Sequence, residues 1–157
     1  MKAHRVFVTG ALLLALAGCA NKASERFPEL EVVGGVPAGF TWAFLNGPDF
    51  YTYVASNPAQ PECTVGVYFG TAPQFHPSAT AHGEVGAFAG RSVMWEASSK
   101  PSTVFRREAL LPYRHNRASR ELTLHIWAQA PSQGLLNELV GALGSAQVKE
   151  RPAKGPA

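Results

Sequence analysis

The stretch ELTLHIWAQ, residues 121–129, alternates along its whole length. Leu122, Leu124, Ile126 and Ala128 fall on one side, and Thr123, His125, Trp127 and Gln129 on the other. A period of two with one apolar and one mixed side is a β-strand with one face packed and one partly wet. A few residues later the period changes. Leu135, Leu136, Leu139, Val140 and Leu143 recur at the spacing of a helix with one apolar stripe. Ser132, after Pro131, stands where a helix N-cap is needed, and Gly144 stands where the helix should stop. A strand with one apolar face followed by one amphipathic helix points to an α+β domain, its antiparallel sheet laid on the C-terminal helix.

Upstream segments supply the other strands. Phe40, Trp42 and Phe44 alternate with smaller residues, and 46–49 reads Asn-Gly-Pro-Asp, a turn signal. Residues 50–55 and 63–69 are rich in aromatic and β-branched side chains, as strands are. A long loop spans 70–83. Residues 85–97 read as one long strand, with Gly86 and Gly90 marking a bulge or bend. Residues 103–111 form a further strand, linked to the 121–129 strand through 112–120. The expectation is five or six antiparallel strands, with a small β-sandwich or half-open barrel as the alternative. No βαβ rhythm is present, which argues against a doubly wound parallel sheet. The globular domain is expected over 39–147, with a flexible tether over 19–38, a short ordered piece at Leu30–Val33, and a disordered tail over 148–157.

The N-terminal end has a different composition. Lys2 and Arg5 precede an apolar run that closes on Leu16-Ala17-Gly18-Cys19. A basic start, an apolar core and small residues before a cleavage point are the layout of a secretory signal peptide. Leu-Ala-Gly-Cys resembles the lipobox of bacterial lipoproteins, and the resemblance covers residues 1–19 only. It implies removal of 1–18 and a diacylglycerol on Cys19, with palmitate-type acyl chains. Each buried methylene contributes about 0.8 kcal/mol, so two or three chains on one residue give stable anchoring. Ala20, where Asp is the usual inner-membrane retention signal of these lipoproteins, implies the outer membrane, on its periplasmic side. No later apolar run approaches the ~18 residues of a transmembrane helix.

Hydrophobic residues make up 46% of the 157, enough for a core. The formal charge of +3 includes Lys2 and Arg5, so the chain beyond the signal is close to neutral. That excludes the strong positive field of a nucleic-acid-binding domain. With Cys19 lipidated, Cys63 has no partner for an intramolecular disulfide, and a lone cysteine opening an apolar strand reads as a small buried hydrophobe.

Candidate functional residues fall into three groups. Arg106, Arg107, Arg114, Arg117 and Arg120 crowd one hairpin, where guanidinium forks suit phosphate, carboxylate or an acidic partner. His125 and Trp127 share the less apolar side of their strand and would form a recognition surface if that side is uncovered. His76, His82 and Glu84 combine two imidazoles with a carboxylate, weak candidates for a transition-metal site. Glu84 and Glu96 are a possible acid–base pair for glycan cleavage. No G-x-S-x-G elbow or phosphate loop is present, and no cofactor is implied. The expected function is a non-enzymatic binding or assembly module of the cell envelope, with a protein, anionic lipid or glycan partner. The alternatives are an envelope hydrolase or metalloenzyme using His76, His82 and Glu84, and a lipid-carrying module.

Overall fold

The 121–129 alternation forms the centre of the sheet. In the computed structural model, which describes residues 30–47, 49–79, 82–98, 103–114 and 121–150, the elements run β1 (Leu30–Val33), β2 (Thr41–Asn46), β3 (Tyr51–Asn57), β4 (Gln60–Gly70), β5 (Glu84–Phe88), β6 (Arg91–Ala97), β7 (Phe105–Tyr113), β8 (Leu122–Ala130), α1 (Gln133–Leu143) and β9 (Gln147–Glu150). Seven strands make one antiparallel sheet in the order β2-β3-β4-β8-β7-β6-β5. Two meanders, β2-β3-β4 and β5-β6-β7-β8, are thus joined edge to edge by the β4–β8 pairing. That pairing runs from Thr64 opposite Gln129 to Gly70 opposite Thr123.

Leu122, Leu124, Ile126 and Ala128 lose all solvent contact. Val65, Val67 and Phe69 flank them from β4, and Ala109 and Leu111 from β7. The helix covers this inner face with Leu136, Leu139 and Leu143. Ser132 caps it as expected: the hydroxyl accepts from Leu135 N at 3.3 Å, and Gly144 ends it. The core extends through tilted ring contacts of Phe44 of β2 with Tyr51 and Tyr53 of β3 and of Tyr51 with Phe69, and an edge-on contact of Tyr53 with Phe69.

The strand count is higher than five or six, for two reasons. The 85–97 run is not one strand but a hairpin. Ala89 and Gly90 both take positive φ, 51° and 72°, as a tight two-residue turn requires. Gly90, expected to mark a bulge or bend, lies in this turn; Ala89 is the residue a sequence reading would not place there, because only Gly adopts this conformation freely. The turn is fixed by the helix end: Ala89 N and Gly90 N each donate, at 3.3 Å, to the carbonyls of Leu143 and Gly144. These bonds satisfy carbonyls that a helix C-terminus leaves open. Pairing of β6 with β7 involves only Glu96–Glu108 and Ala97–Arg107, so the hairpin can lean from the sheet towards α1.

The second reason is a two-stranded antiparallel ribbon of β1 and β9, with Leu30 opposite Glu150 and Val33 opposite Gln147. The ordered piece at Leu30–Val33 belongs to the folded unit: Leu30 and Val32 are core residues. Residues 30–33 therefore do not act as a free tether, and 148–150 are strand, not tail. The indole of Trp42 donates to Gly34 O at 3.0 Å and ties the ribbon's exit to β2. Residues 1–29, with the expected signal segment and Cys19, and residues 151–157 lie outside the described residues.

Candidate functional site

The outer face of the sheet, away from α1, is built on the polar half of the β8 alternation. Antiparallel partners share a face, so His125 meets Tyr68 and Leu110, and Trp127 meets Gly66 and Glu108. The indole lies flat over Gly66; a Cβ there would overlap its ring. Glycine at this one position lets a large ring settle against the neighbouring strand.

Glu108 organises the polar groups. Its Oε1 accepts from Arg106 Nη2 at 2.8 Å and lies 3.0 Å from His125 Nε2. All three side chains come from adjacent strands and point the same way, because Arg106 and Glu108 are two apart on β7. Burial alone would raise the Glu108 pKa. The hydrogen bonds from His125 and Arg106, with the charge of Arg106, outweigh it and lower the pKa to about 2. An ionised Glu108 only accepts, so His125 carries its proton on Nε2. The Arg106 guanidinium also sits over the Trp127 ring, 5.5 Å from its centroid.

Residues 71–79 partly cover this face. Ala72 N donates to the Tyr68 hydroxyl at 3.2 Å, Phe75 stacks on His125 at 5.6 Å and 21°, and Ser78 N donates to Glu96 Oε2 at 3.0 Å. His125 is consequently buried, whereas Trp127 stays half-buried. What remains open is a cleft of about 470 Å³, lined by Asp49, Phe50, Thr52, Tyr68, Ala72, Gln74, Arg106, His125 and Trp127. Phe50, from the β2–β3 turn, packs on Tyr68 at 5.6 Å.

The expected site residues separate. Arg106, His125 and Trp127 come together. Arg107 points to the opposite face, where it forms an ion pair with Glu84 at 2.8 Å. Arg114 is exposed at the end of β7, and Arg117 and Arg120 lie outside the described residues. The described arginines of the hairpin therefore do not form one basic patch: strand alternation sends Arg106 and Arg107 apart, and each is matched by a carboxylate. Glu84 and Glu96 also point to opposite faces, since Glu84 pairs with Trp95 and Glu96 is the next residue; they cannot flank one bond. His76 and His82 are exposed, and no three His, Cys, Asp or Glu side chains among the described residues form a metal-ligand group. Cys63 is buried, and burial, with the charge of Glu62, pushes its thiol pKa up, away from reactivity.

A second, larger cleft of about 1110 Å³ lies near the helix N-terminus, lined among others by Trp95, Arg107, Glu84, Gln133 and Asn137. Sequence reasoning missed Glu108, Tyr68, Phe50 and Phe75. The Arg106-x-Glu108 spacing on one strand was a usable signal for Glu108. The loop's placement had none. No family model, curated protein or solved structure matches the chain.

Proposed function

We propose that this protein is a lipid-anchored bacterial cell-envelope protein whose folded domain is a non-enzymatic binding module facing the periplasm. The anchor rests on Lys2 and Arg5, the apolar run, and Leu16-Ala17-Gly18-Cys19. Ala20 favours the outer membrane.

The observation that carries the binding role is the cleft on the outer face. It combines the aromatic rings of Phe50, Tyr68 and Trp127 with a few polar groups held in place by their neighbours, as ligand sites do. The groups with acid–base chemistry at the cleft are already committed. Glu108 is held ionised, and the same oxygen serves both Arg106 and His125. Both Glu108 and His125 are almost fully buried, so they work as scaffold for the cleft.

Intact mass of the membrane-extracted protein tests the anchor. The expected species begins at Cys19 and carries diacylglycerol, and Cys19→Ser abolishes both changes. A membrane-extracted chain that starts elsewhere or lacks the lipid contradicts the anchor. Affinity capture from solubilised envelopes tests the binding role. Ligand recovered by the wild type and lost with Trp127→Leu supports it; equal recovery by both contradicts it.

A further inference from the structure

We infer that the ligand of the outer-face cleft is the ring of a neutral carbohydrate. This rests on the binding role proposed for the same cleft and names its ligand class.

The argument begins with charge. An anionic headgroup or phosphate needs an unspent cation. Arg106 is the cation lining the cleft, and it is matched by Glu108 at 2.8 Å and laid over Trp127. Asp49, exposed at the mouth, adds a negative charge that repels anions. A cationic ligand would have the exposed Asp49 as its counter-charge, and an exposed ion pair contributes little in water. A neutral ligand depends on no charged partner.

Shape and chemistry narrow the class further. A pyranose ring has apolar C–H faces and a rim of hydroxyls. The cleft offers aromatic surfaces from Phe50, Tyr68 and Trp127, with Trp127 held flat against Gly66. Around them stand the Asp49 carboxylate, the Thr52 hydroxyl, the Gln74 amide and the Arg106 guanidinium. Carboxylate, amide and guanidinium groups are paired donors and acceptors that match adjacent hydroxyls. A purely apolar ligand, such as an acyl chain, would bury these polar groups without partners, at a cost. A volume of about 470 Å³ lies within the range of small-molecule sites.

The test is saturation-transfer NMR on the full-length protein in a detergent without a sugar headgroup. The probes are neutral oligosaccharides of glucose, galactose, mannose and N-acetylglucosamine, with inorganic phosphate and glycerol phosphate, the soluble headgroup chemistry, as anionic controls. Purified peptidoglycan sacculi, in a sedimentation assay, distinguish a polymeric wall glycan from a free sugar. At least one neutral sugar should show saturation of its ring C–H protons. Its affinity should fall at least about tenfold in Trp127→Leu and in Phe50→Ala, since each removes a ring face from the contact. Phe50→Ala changes a turn residue and keeps the test decisive if the strand variant fails to fold. Saturation of no neutral sugar overturns the inference, as does binding that survives both substitutions. Displacement of a bound sugar by inorganic phosphate or glycerol phosphate also overturns it. Capture of a protein ligand by the cleft without any sugar binding overturns the carbohydrate assignment but leaves the binding module standing. Sugar binding by a chain that is not lipidated on Cys19 does the reverse, removing only the anchor.

Discussion

Neighbouring residues of β8 serve two different kinds of surface. Leu122, Leu124, Ile126 and Ala128 point into a core closed by α1, while Thr123, His125, Trp127 and Gln129 point to a face crossed by residues 71–79. The inner face is held by apolar volume, which is non-directional and tolerates exchange of similar side chains. The outer face is held by directed contacts: Glu108 between Arg106 and His125, Phe75 on His125, and Trp127 on Gly66. Stability comes mainly from the first surface. A cleft with fixed polar atoms can come only from the second.

The largest expected effect breaks the inner face. Ile126→Ala removes a fully buried side chain between Val67 and Ala109 and should cost about 3 kcal/mol in urea denaturation. A loss below about 1 kcal/mol would mean that this face is loosely packed.

Glu108→Gln comes next, at about 2 kcal/mol near neutral pH, because it leaves Arg106 and His125 without their ionised partner. The acid response sharpens the comparison. The folded-state pKa of about 2 lies below the ordinary 4.5, so the folded state binds fewer protons than the unfolded chain between these values. The stabilisation is fully present above about pH 4.5 and is lost as pH falls through about 2. Denaturation midpoints should drop across this window in the wild type and drop less in Glu108→Gln. Parallel curves would show that the Glu108 cluster does not stabilise the outer face.

Gly66→Ala has a smaller expected cost, about 1.5 kcal/mol, since the strand survives but the Trp127 indole must move off its seat. Tryptophan fluorescence should report the displacement. An unchanged spectrum would contradict the flat packing of the indole.

Local periodicity explains what was legible in advance. The β8 alternation, the α1 stripe, the Ser132 cap and the Gly144 stop all depend on residues within a few positions of one another. The ribbon of β1 and β9 was not legible as a closed unit, because four-residue strands carry almost no period and their pairing joins residues 30 and 150. The β5–β6 turn was legible only in part: Gly90 marked a bend, but Ala89 takes a conformation usually reserved for glycine. In the site, Arg106, His125 and Trp127 were visible from residue type and strand face. The placement of Phe75 and Phe50 depends on a loop and a turn folding back over distant strands, which no local pattern encodes. Within the basic hairpin, adjacent residues of a strand face opposite ways, so Arg106 and Arg107 enter two separate ion pairs.

The most direct test of the division between the two faces uses adjacent residues of β8. Stability and affinity for a neutral oligosaccharide would be measured together for Ile126→Ala and Trp127→Leu. The account predicts that Ile126→Ala loses about 3 kcal/mol of stability but binds normally while folded. It predicts that Trp127→Leu, which keeps apolar cover on Gly66, loses at most about 1.5 kcal/mol and at least about tenfold in affinity. Loss of stability by Trp127→Leu equal to that of Ile126→Ala, with affinity unchanged, would contradict it.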